Sequence, residues 1–201
     1  MRFSLKGFLY QVTVDPLISR LHASVLPLIE PSQRVLDVAC GTGTLSLSIA
    51  KRAKHVTGID LSEDMIITAQ RAARKTGAEN TLFELRDASD LSNYRDKEFD
   101  VSVTSLAVHQ FQADLAVKIL KEMKRISGTV VIVDYNSLMP KGLSASAARS
   151  IERLAGGEHY RNFKTFMEKG GIRYFAAEAG LTLKSETVRG SGVFSVAVCG
   201  W

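Results

Sequence analysis

The feature that most constrains the fold of this sequence is a regular alternation between short apolar runs and segments of helical periodicity. Each run is five or six residues long, which is the length of a buried strand. Nearly all-apolar strands that alternate with helices are typical of a parallel sheet covered on both faces. We therefore predict an α/β fold. The five runs cover residues 34–39, 55–59, 81–86, 99–104 and 129–134.

Three of the four gaps between these runs show helical patterns, in which apolar residues recur every three or four positions, and residues 88–98 are predicted to form a polar loop. Ser62 precedes one such segment and Gly77 follows it, and these residue types cap the two ends of helices. An earlier helix is predicted from Asp15 and Pro16, an N-cap and a first helical residue, up to Pro31. The three segments between strands cover residues 44–53, 62–76 and 114–126.

The carboxyl-terminal third departs from this alternation. Residues 136–158 show no single periodicity, and two short helical pieces are predicted after them at residues 159–168 and 172–179. Two further strand-like runs, 181–188 and 192–199, are separated by only three residues, as in a hairpin. No linker divides the chain, so we predict one domain over residues 1–201 whose sheet ends in an antiparallel pair.

Composition excludes several classes of protein. Hydrophobic residues make up 45% and charged residues 23% of the 201 residues, which excludes a disordered or fibrous chain. The net charge of +5 is a mild and scattered basic excess that does not require an anionic partner. Cys40 and Cys199 are too few for a disulfide framework, and no signal peptide or membrane-spanning run is apparent. We therefore expect a soluble, cytoplasmic protein.

A glycine turn follows the first predicted strand. Gly41 and Gly43 allow the backbone to turn tightly and to approach a ligand closely. Ser46 occupies the position at which a pyrophosphate-binding loop carries its third glycine. Asp37, at the end of the strand, would repel a pyrophosphate but suits a ligand with an ammonium group. S-adenosylmethionine has such a group, a cationic sulfonium and no phosphate.

Acidic residues also follow the next two strands. Asp60 lies 19 residues beyond Gly41, the place for an acid that accepts both ribose hydroxyls of an adenosine. Asp87 follows the third strand, where a carboxylate can accept a hydrogen bond from the adenine amino group. Read in isolation, Asp60 could instead be a helix-start acid and Asp87 an ordinary turn residue. Three carboxylates at successive strand ends together indicate an adenosine-shaped, phosphate-free ligand.

Four segments of the chain resemble, in their order, the motifs of class I S-adenosylmethionine-dependent methyltransferases. These segments are residues 35–43, 58–62, 86–88 and 99–101. The resemblance is greatest to small enzymes similar to those of ubiquinone and menaquinone biosynthesis. It covers residues 33–135 clearly. The family implies a Rossmann-like, doubly wound, mostly parallel seven-stranded sheet with a C-terminal antiparallel hairpin, and transferase activity that methylates an acceptor.

By this resemblance, the first strand-end acid and the loop glycine hold the methionine end of S-adenosylmethionine. The second acid holds the ribose, and the third acid with the following amide holds the adenine. Ala39 is a departure, because many members have glycine at this position. The predicted cofactor-binding residues are Asp37, Ala39, Gly41, Gly43, Asp60, Leu61, Met65, Asp87, Ala88 and Ser105.

Candidates for catalysis and acceptor binding are less marked. His109 follows the fourth strand and is our candidate general base, with a helix-cap or core histidine as the alternative. The segment 136–161 is apolar enough to cap an acceptor pocket. No metal is expected, because the four histidines are dispersed in the sequence. The candidate acceptor-binding residues are Tyr10, Tyr135, His159, Tyr160 and Arg161.

The sequence favours a small-molecule acceptor, quinone-like or otherwise amphipathic. An Asn-Pro-Pro-aromatic motif for amino groups of adenine or glutamine is missing after the fourth strand, and two cysteines cannot form an arsenite-binding trio. Three alternatives stay open: an RNA methyltransferase, a non-catalytic S-adenosylmethionine-binding subunit, and a nicotinamide dehydrogenase, which Asp37 and Ser46 disfavour. We expect a monomer or homodimer without a nucleic-acid partner.

Overall fold

Seven strands form a single sheet in the computed structural model, which describes residues 18–201. The strand order is β3-β2-β1-β4-β5-β7-β6. Strands β1 to β5 are parallel to one another, and β7 runs antiparallel to both β5 and β6. The strands are β1 (Arg34–Val38), β2 (His55–Asp60), β3 (Thr81–Leu85), β4 (Phe99–Ser105), β5 (Ser127–Tyr135), β6 (Thr182–Arg189) and β7 (Phe194–Gly200).

Helices connect the strands and cover the sheet. The first described helix, α1, occupies residues 18–23, and short 3-10 turns cover Leu26–Leu28 and Val108–Gln110. The other helices are α2 (Thr44–Ala50), α3 (Glu63–Thr76), α4 (Ala113–Ile126), α5 (Leu143–Ala155), α6 (Gly157–Lys169) and α7 (Ile172–Glu178).

Local sequence explains where the helices begin and end. The Ser62 hydroxyl accepts a hydrogen bond from the Met65 amide and caps α3, and Gly77 ends that helix in the left-handed conformation. In α4 the buried positions, which include Ile119, Met123 and Ile126, form a stripe that packs on the sheet. The central strands are buried along nearly their whole length because helices cover both faces.

The predicted fold class is confirmed, including the antiparallel hairpin at the end of the sheet. The structure adds one helix to the prediction: α5 lies within residues 136–158, where the sequence pattern indicates no regular element. Its buried face consists of Ala145, Ala148 and Glu152, so small and acidic residues hide its apolar periodicity. The predicted start of the first helix, at Asp15 and Pro16, lies outside the described residues.

Within residues 18–201, every helix is too short or too polar to cross a membrane.

Candidate active site

A cavity of about 1040 Å³ opens at the carboxyl edge of the sheet, where the strand order reverses between β1 and β4. Open α/β sheets bind their ligands at this kind of position. The ends of β1 to β4, helix α1 and the start of α4 contribute to its walls. The three acids predicted from the sequence, Asp37, Asp60 and Asp87, all line this cavity.

Asp37 is the most deeply buried of the three acids, with 1% of its surface exposed. Its Oδ2 accepts a hydrogen bond from Ser46 Oγ over 2.5 Å. Burial raises the pKa of Asp37 to about 7; the hydrogen bonds from Ser46 oppose this shift, and the charge of Asp60 adds to it. The serine in place of a third glycine therefore orients the carboxyl group on the cavity wall.

Asp60 joins the glycine turn to the second strand. Its Oδ2 accepts a hydrogen bond from the Gly41 amide at 2.8 Å, and its Oδ1 accepts one from the Ser62 amide at 2.9 Å. Each carboxylate oxygen has a further lone pair for a ligand hydroxyl. Gly41 and Asp60 are 19 residues apart in the sequence and are in direct contact in the structure.

Asp87 lies at the third strand end. Its Oδ1 accepts a hydrogen bond from the Ser89 amide at 2.8 Å, which shapes the following turn. Asp87 and Ala88 both line the cavity. Asp87 can therefore stabilise the turn through Oδ1 and still contact a ligand in the cavity.

The glycines of the turn have different roles. Gly41 adopts a φ of +55°, lines the cavity, and has no atom within 4 Å of the position that a Cβ would take. A Cβ on Gly43 would lie 2.8 Å from the Phe83 ring, so this glycine allows α2 to pack closely. Gly43 is not among the described residues that line the cavity. Ala39 lines the cavity with a φ of +58°, a conformation that favours glycine.

Other predicted cofactor residues also border the cavity, namely Leu61, Met65 and Ser105. The Ser105 hydroxyl is buried and has no hydrogen-bond partner within residues 18–201. A buried polar atom without a partner is uncommon, and one on a cavity wall suggests a ligand contact.

His22 is a site residue that our sequence reasoning missed. It lines the cavity from α1, and its Nδ1 is buried without a hydrogen-bond partner in the described part of the chain. Burial lowers the pKa of His22 to about 4, so the ring is neutral at physiological pH. No motif marks His22; it simply adjoins the apolar residues Leu21 and Val25.

The structure places His109 behind the cavity wall rather than among the described lining residues. The residue is 2% exposed, and its Nδ1 lies 2.6 Å from Asp134 Oδ1. Burial alone would lower the pKa of His109, but the charge and hydrogen bond of Asp134, with the charge of Glu152, raise it overall. Its role as a general base stays a prediction.

The candidate acceptor residues do not form one group. Tyr135 and His159 meet at Glu152: the Tyr135 hydroxyl donates to Glu152 Oε1 at 2.7 Å, and His159 Nε2 lies 2.5 Å from Glu152 Oε2. Tyr160 is partly buried against the core, and Arg161 is exposed. None of these four lines the cavity as the structure describes it, and Tyr10 lies outside the described residues.

The residues present fit S-adenosylmethionine. The carboxylates can accept hydrogen bonds from an ammonium group, ribose hydroxyls and an adenine amino group. Arg86 is the one arginine or lysine among the described lining residues, and its guanidinium is already 3.3 Å from Glu84. Three acids and one paired cation suit a cationic nucleoside better than a pyrophosphate.

A seven-stranded sheet of this order, with acids at three neighbouring strand ends, places the protein among the class I S-adenosylmethionine-dependent methyltransferases. The family model described as "Methyltransferase domain" matches residues 29–176. The chain belongs to this family.

Similar proteins include a ubiquinone biosynthesis O-methyltransferase of Methylococcus capsulatus, 29% identical over 155 residues, which are 75% of this chain and 64% of that protein. A 23S rRNA (uracil-C(5))-methyltransferase of Photobacterium angustum is 32% identical over 141 residues, which are 70% of this chain and 57% of that protein. The chain therefore spans less than two thirds of the length of these two relatives.

The fold is also that of magnesium protoporphyrin IX methyltransferase from Synechocystis, solved with bound S-adenosylhomocysteine. The TM-score is 0.67 at 17% identity, and the match covers 99% of this chain and 88% of that one.

Proposed function

We propose that the protein transfers the methyl group of S-adenosylmethionine to a small amphipathic acceptor. The observation that carries this proposal is the presence of Asp37, Asp60 and Asp87 on one cavity, each from a different strand end. Family membership supports the cofactor, and the similarity to a ubiquinone biosynthesis O-methyltransferase supports a small-molecule acceptor.

The cofactor supplies an activated methyl group on a sulfonium when it is bound. The remaining task of the protein is to align the two reactants, and alignment can lower a barrier by about 7–11 kcal/mol. We assign the ammonium group to Asp37, the ribose hydroxyls to Asp60 and the adenine to Asp87 with the Ala88 amide. Ser105, whose hydroxyl has no partner within residues 18–201, provides a further polar contact.

The size and lining of the cavity support a second, partly apolar ligand. Pockets for drug-sized ligands hold about 300–1,000 Å³. The volume of about 1040 Å³ leaves room for a nucleoside and a small acceptor together. Apolar side chains from α1, from the segment after β4 and from α4 face it, among them Ile18, Phe111, Leu115 and Ile119.

Where the acceptor must lose a proton, we assign the base to His22. A general base must lie within hydrogen-bond reach of the proton and be unprotonated at working pH. His22 lines the cavity, its Nδ1 has no hydrogen-bond partner within residues 18–201, and its pKa of about 4 keeps the ring unprotonated at working pH. His109 lies behind the wall and is engaged by Asp134, so we do not assign this step to it.

The experiment is incubation of the protein with methyl-labelled S-adenosylmethionine and a fractionated cell extract. We expect label in a small-molecule fraction, and no label with the Asp60→Ala variant. Label in the RNA fraction would instead support an RNA methyltransferase. Cofactor binding without label in any fraction would support a non-catalytic subunit.

A further inference from the structure

Two histidines and a glutamate that are far apart in sequence meet behind the cavity wall. His109 comes from the turn after β4, Glu152 from α5 and His159 from α6. One ligand atom from each of these three side chains can be chosen so that all lie within 4.8 Å of one another. Among residues 18–201, this is the one group of three or more metal-ligating side chains with such geometry.

The two imidazole rings flank the carboxylate of Glu152. His159 Nε2 lies 2.5 Å from Glu152 Oε2, and His109 Nε2 lies 3.7 Å from Glu152 Oε1. The second distance exceeds that of a hydrogen bond. Glu152 is 5% exposed, so its carboxylate faces the two rings in a nearly dry environment.

Neighbouring groups hold these side chains in place. His109 Nδ1 lies 2.6 Å from Asp134 Oδ1, which directs its Nε2 toward Glu152. Asp134 is itself fixed, because it also accepts the amide hydrogens of His109 and Tyr135 at 3.1 and 2.7 Å. Histidines that ligate metals commonly have such a carboxylate on their other ring nitrogen.

We propose that His109, Glu152 and His159 bind a divalent transition metal of the zinc type. Two imidazoles and one carboxylate form a ligand set that zinc takes in proteins, with a further coordination position left open. Magnesium and calcium prefer oxygen ligands and are not expected here. The site departs from our sequence-based expectation that no metal is needed.

Charge and access are consistent with a bound dication. Asp134 and Glu152 place two carboxyl groups in the interior beside the site, and a dication held there would interact favourably with both. The His159 side chain is 30% exposed, which provides a path to solvent. A metal here would join α5 and α6 to the end of β4, and it does not depend on the proposed methyl transfer.

The test uses the tag-free full chain, stripped of metal with a chelator and titrated calorimetrically with zinc chloride. We expect one Zn²⁺ per chain with micromolar or tighter affinity and no comparable binding of Mg²⁺. Loss of a group that only hydrogen-bonds a metal ligand weakens metal binding by about 10–100-fold. Loss of a direct ligand should have a larger effect, so we expect His159→Gln and Glu152→Gln each to weaken zinc binding by at least about 100-fold. His55→Gln, a matched control on β2, should leave the affinity unchanged.

The proposal is overturned if the wild-type chain binds no zinc. It is also overturned if either His159→Gln or Glu152→Gln leaves the zinc affinity unchanged. A second measurement needs no variant: in electron paramagnetic resonance of the Cu²⁺-loaded wild-type chain, we expect hyperfine coupling to two imidazole nitrogens. Coupling to fewer than two imidazoles overturns the site as well.

Discussion

Ser46, in the first turn of α2, donates a hydrogen bond to Asp37 over 2.5 Å and stands where a dinucleotide-binding motif carries its third glycine. Ser46 is fully buried, and its hydroxyl holds the carboxyl group of Asp37, an acid that repels a phosphate, on the cavity wall. The pair therefore explains in physical terms why the cavity favours a cationic ligand without phosphate.

The affinity for S-adenosylmethionine should rise with pH through neutrality. Asp37 has a pKa of about 7 in the free protein, and the ammonium group of the ligand favours its ionised form. If only the ionised form binds, the apparent affinity falls with the ionised fraction, by about tenfold between about pH 8 and pH 6. Calorimetry in this range should also detect proton release on binding below pH 7.

The matched variant is Asp37→Asn, which should bind weakly at every pH and show no such slope. A wild-type affinity that is flat over this range would contradict the assignment of Asp37.

The raised pKa of Asp37 has the opposite effect on the stability of the free protein, which should fall as the pH rises. Between the ordinary value of 3.8 and about 7, Asp37 is protonated in the folded state and ionised in the unfolded state. The unfolded state then binds fewer protons, so the free energy of unfolding contributed by this group falls as pH rises through this window. Urea denaturation of wild type and Asp37→Asn at several pH values measures the difference, which should grow toward neutrality in favour of the variant.

Removal of the Asp60 carboxylate should weaken cofactor binding. Hydrogen bonds to a charged acceptor contribute about 1.5–3 kcal/mol each, so Asp60→Ala should raise the dissociation constant of S-adenosylhomocysteine at least about tenfold. Asp64→Ala is the control, since this neighbouring acid lies in the first turn of α3 and outside the described cavity lining. Equal affinity of wild type and Asp60→Ala in calorimetry would be incompatible with the proposed site.

Ala39→Gly should stabilise the protein. A left-handed conformation costs an alanine about 1–2 kcal/mol, and glycine avoids this cost. However, the greater flexibility of glycine in the unfolded state lowers the free energy of unfolding by about 0.5–1 kcal/mol. Ala39 has a φ of +58°, so we expect a net gain of up to about 1.5 kcal/mol. Thermal unfolding should show a higher midpoint for Ala39→Gly and a lower one for Gly41→Ala, whose φ is +55°. A lower midpoint for Ala39→Gly would show that strain is not the dominant effect at this position.

His22→Gln should slow turnover without affecting cofactor binding. General base catalysis contributes about 10²–10⁴-fold, so we expect at least about a hundredfold lower kcat with an acceptor that must lose a proton. The dissociation constant of S-adenosylhomocysteine should stay within about twofold of wild type. Unchanged kcat in this variant would remove His22 from the mechanism.

Much of the fold and of the cofactor side of the site could be predicted from the sequence. The alternation of apolar runs with helical segments defines a parallel sheet, and residues directly after parallel strands share one edge of that sheet. Asp37, Asp60 and Asp87 therefore had to lie near one another once the strands were located, and the structure places all three on one cavity.

Residues whose contacts depend on packing between distant helices could not be predicted in this way. Glu152 lies on the buried face of α5 beside alanines rather than large apolar residues, and it meets His109 and Tyr135 because of the way α5 and α6 pack in the folded chain. His22 likewise reaches the cavity because of the way α1 crosses the sheet edge. The sequence by itself determined the α/β fold class and the three acids, because strands and helices follow from local periodicity and each acid lies at the end of a strand or directly after it. The tertiary structure alone decided which histidine faces the cavity and which is buried beside two carboxylates, because burial depends on how the helices pack.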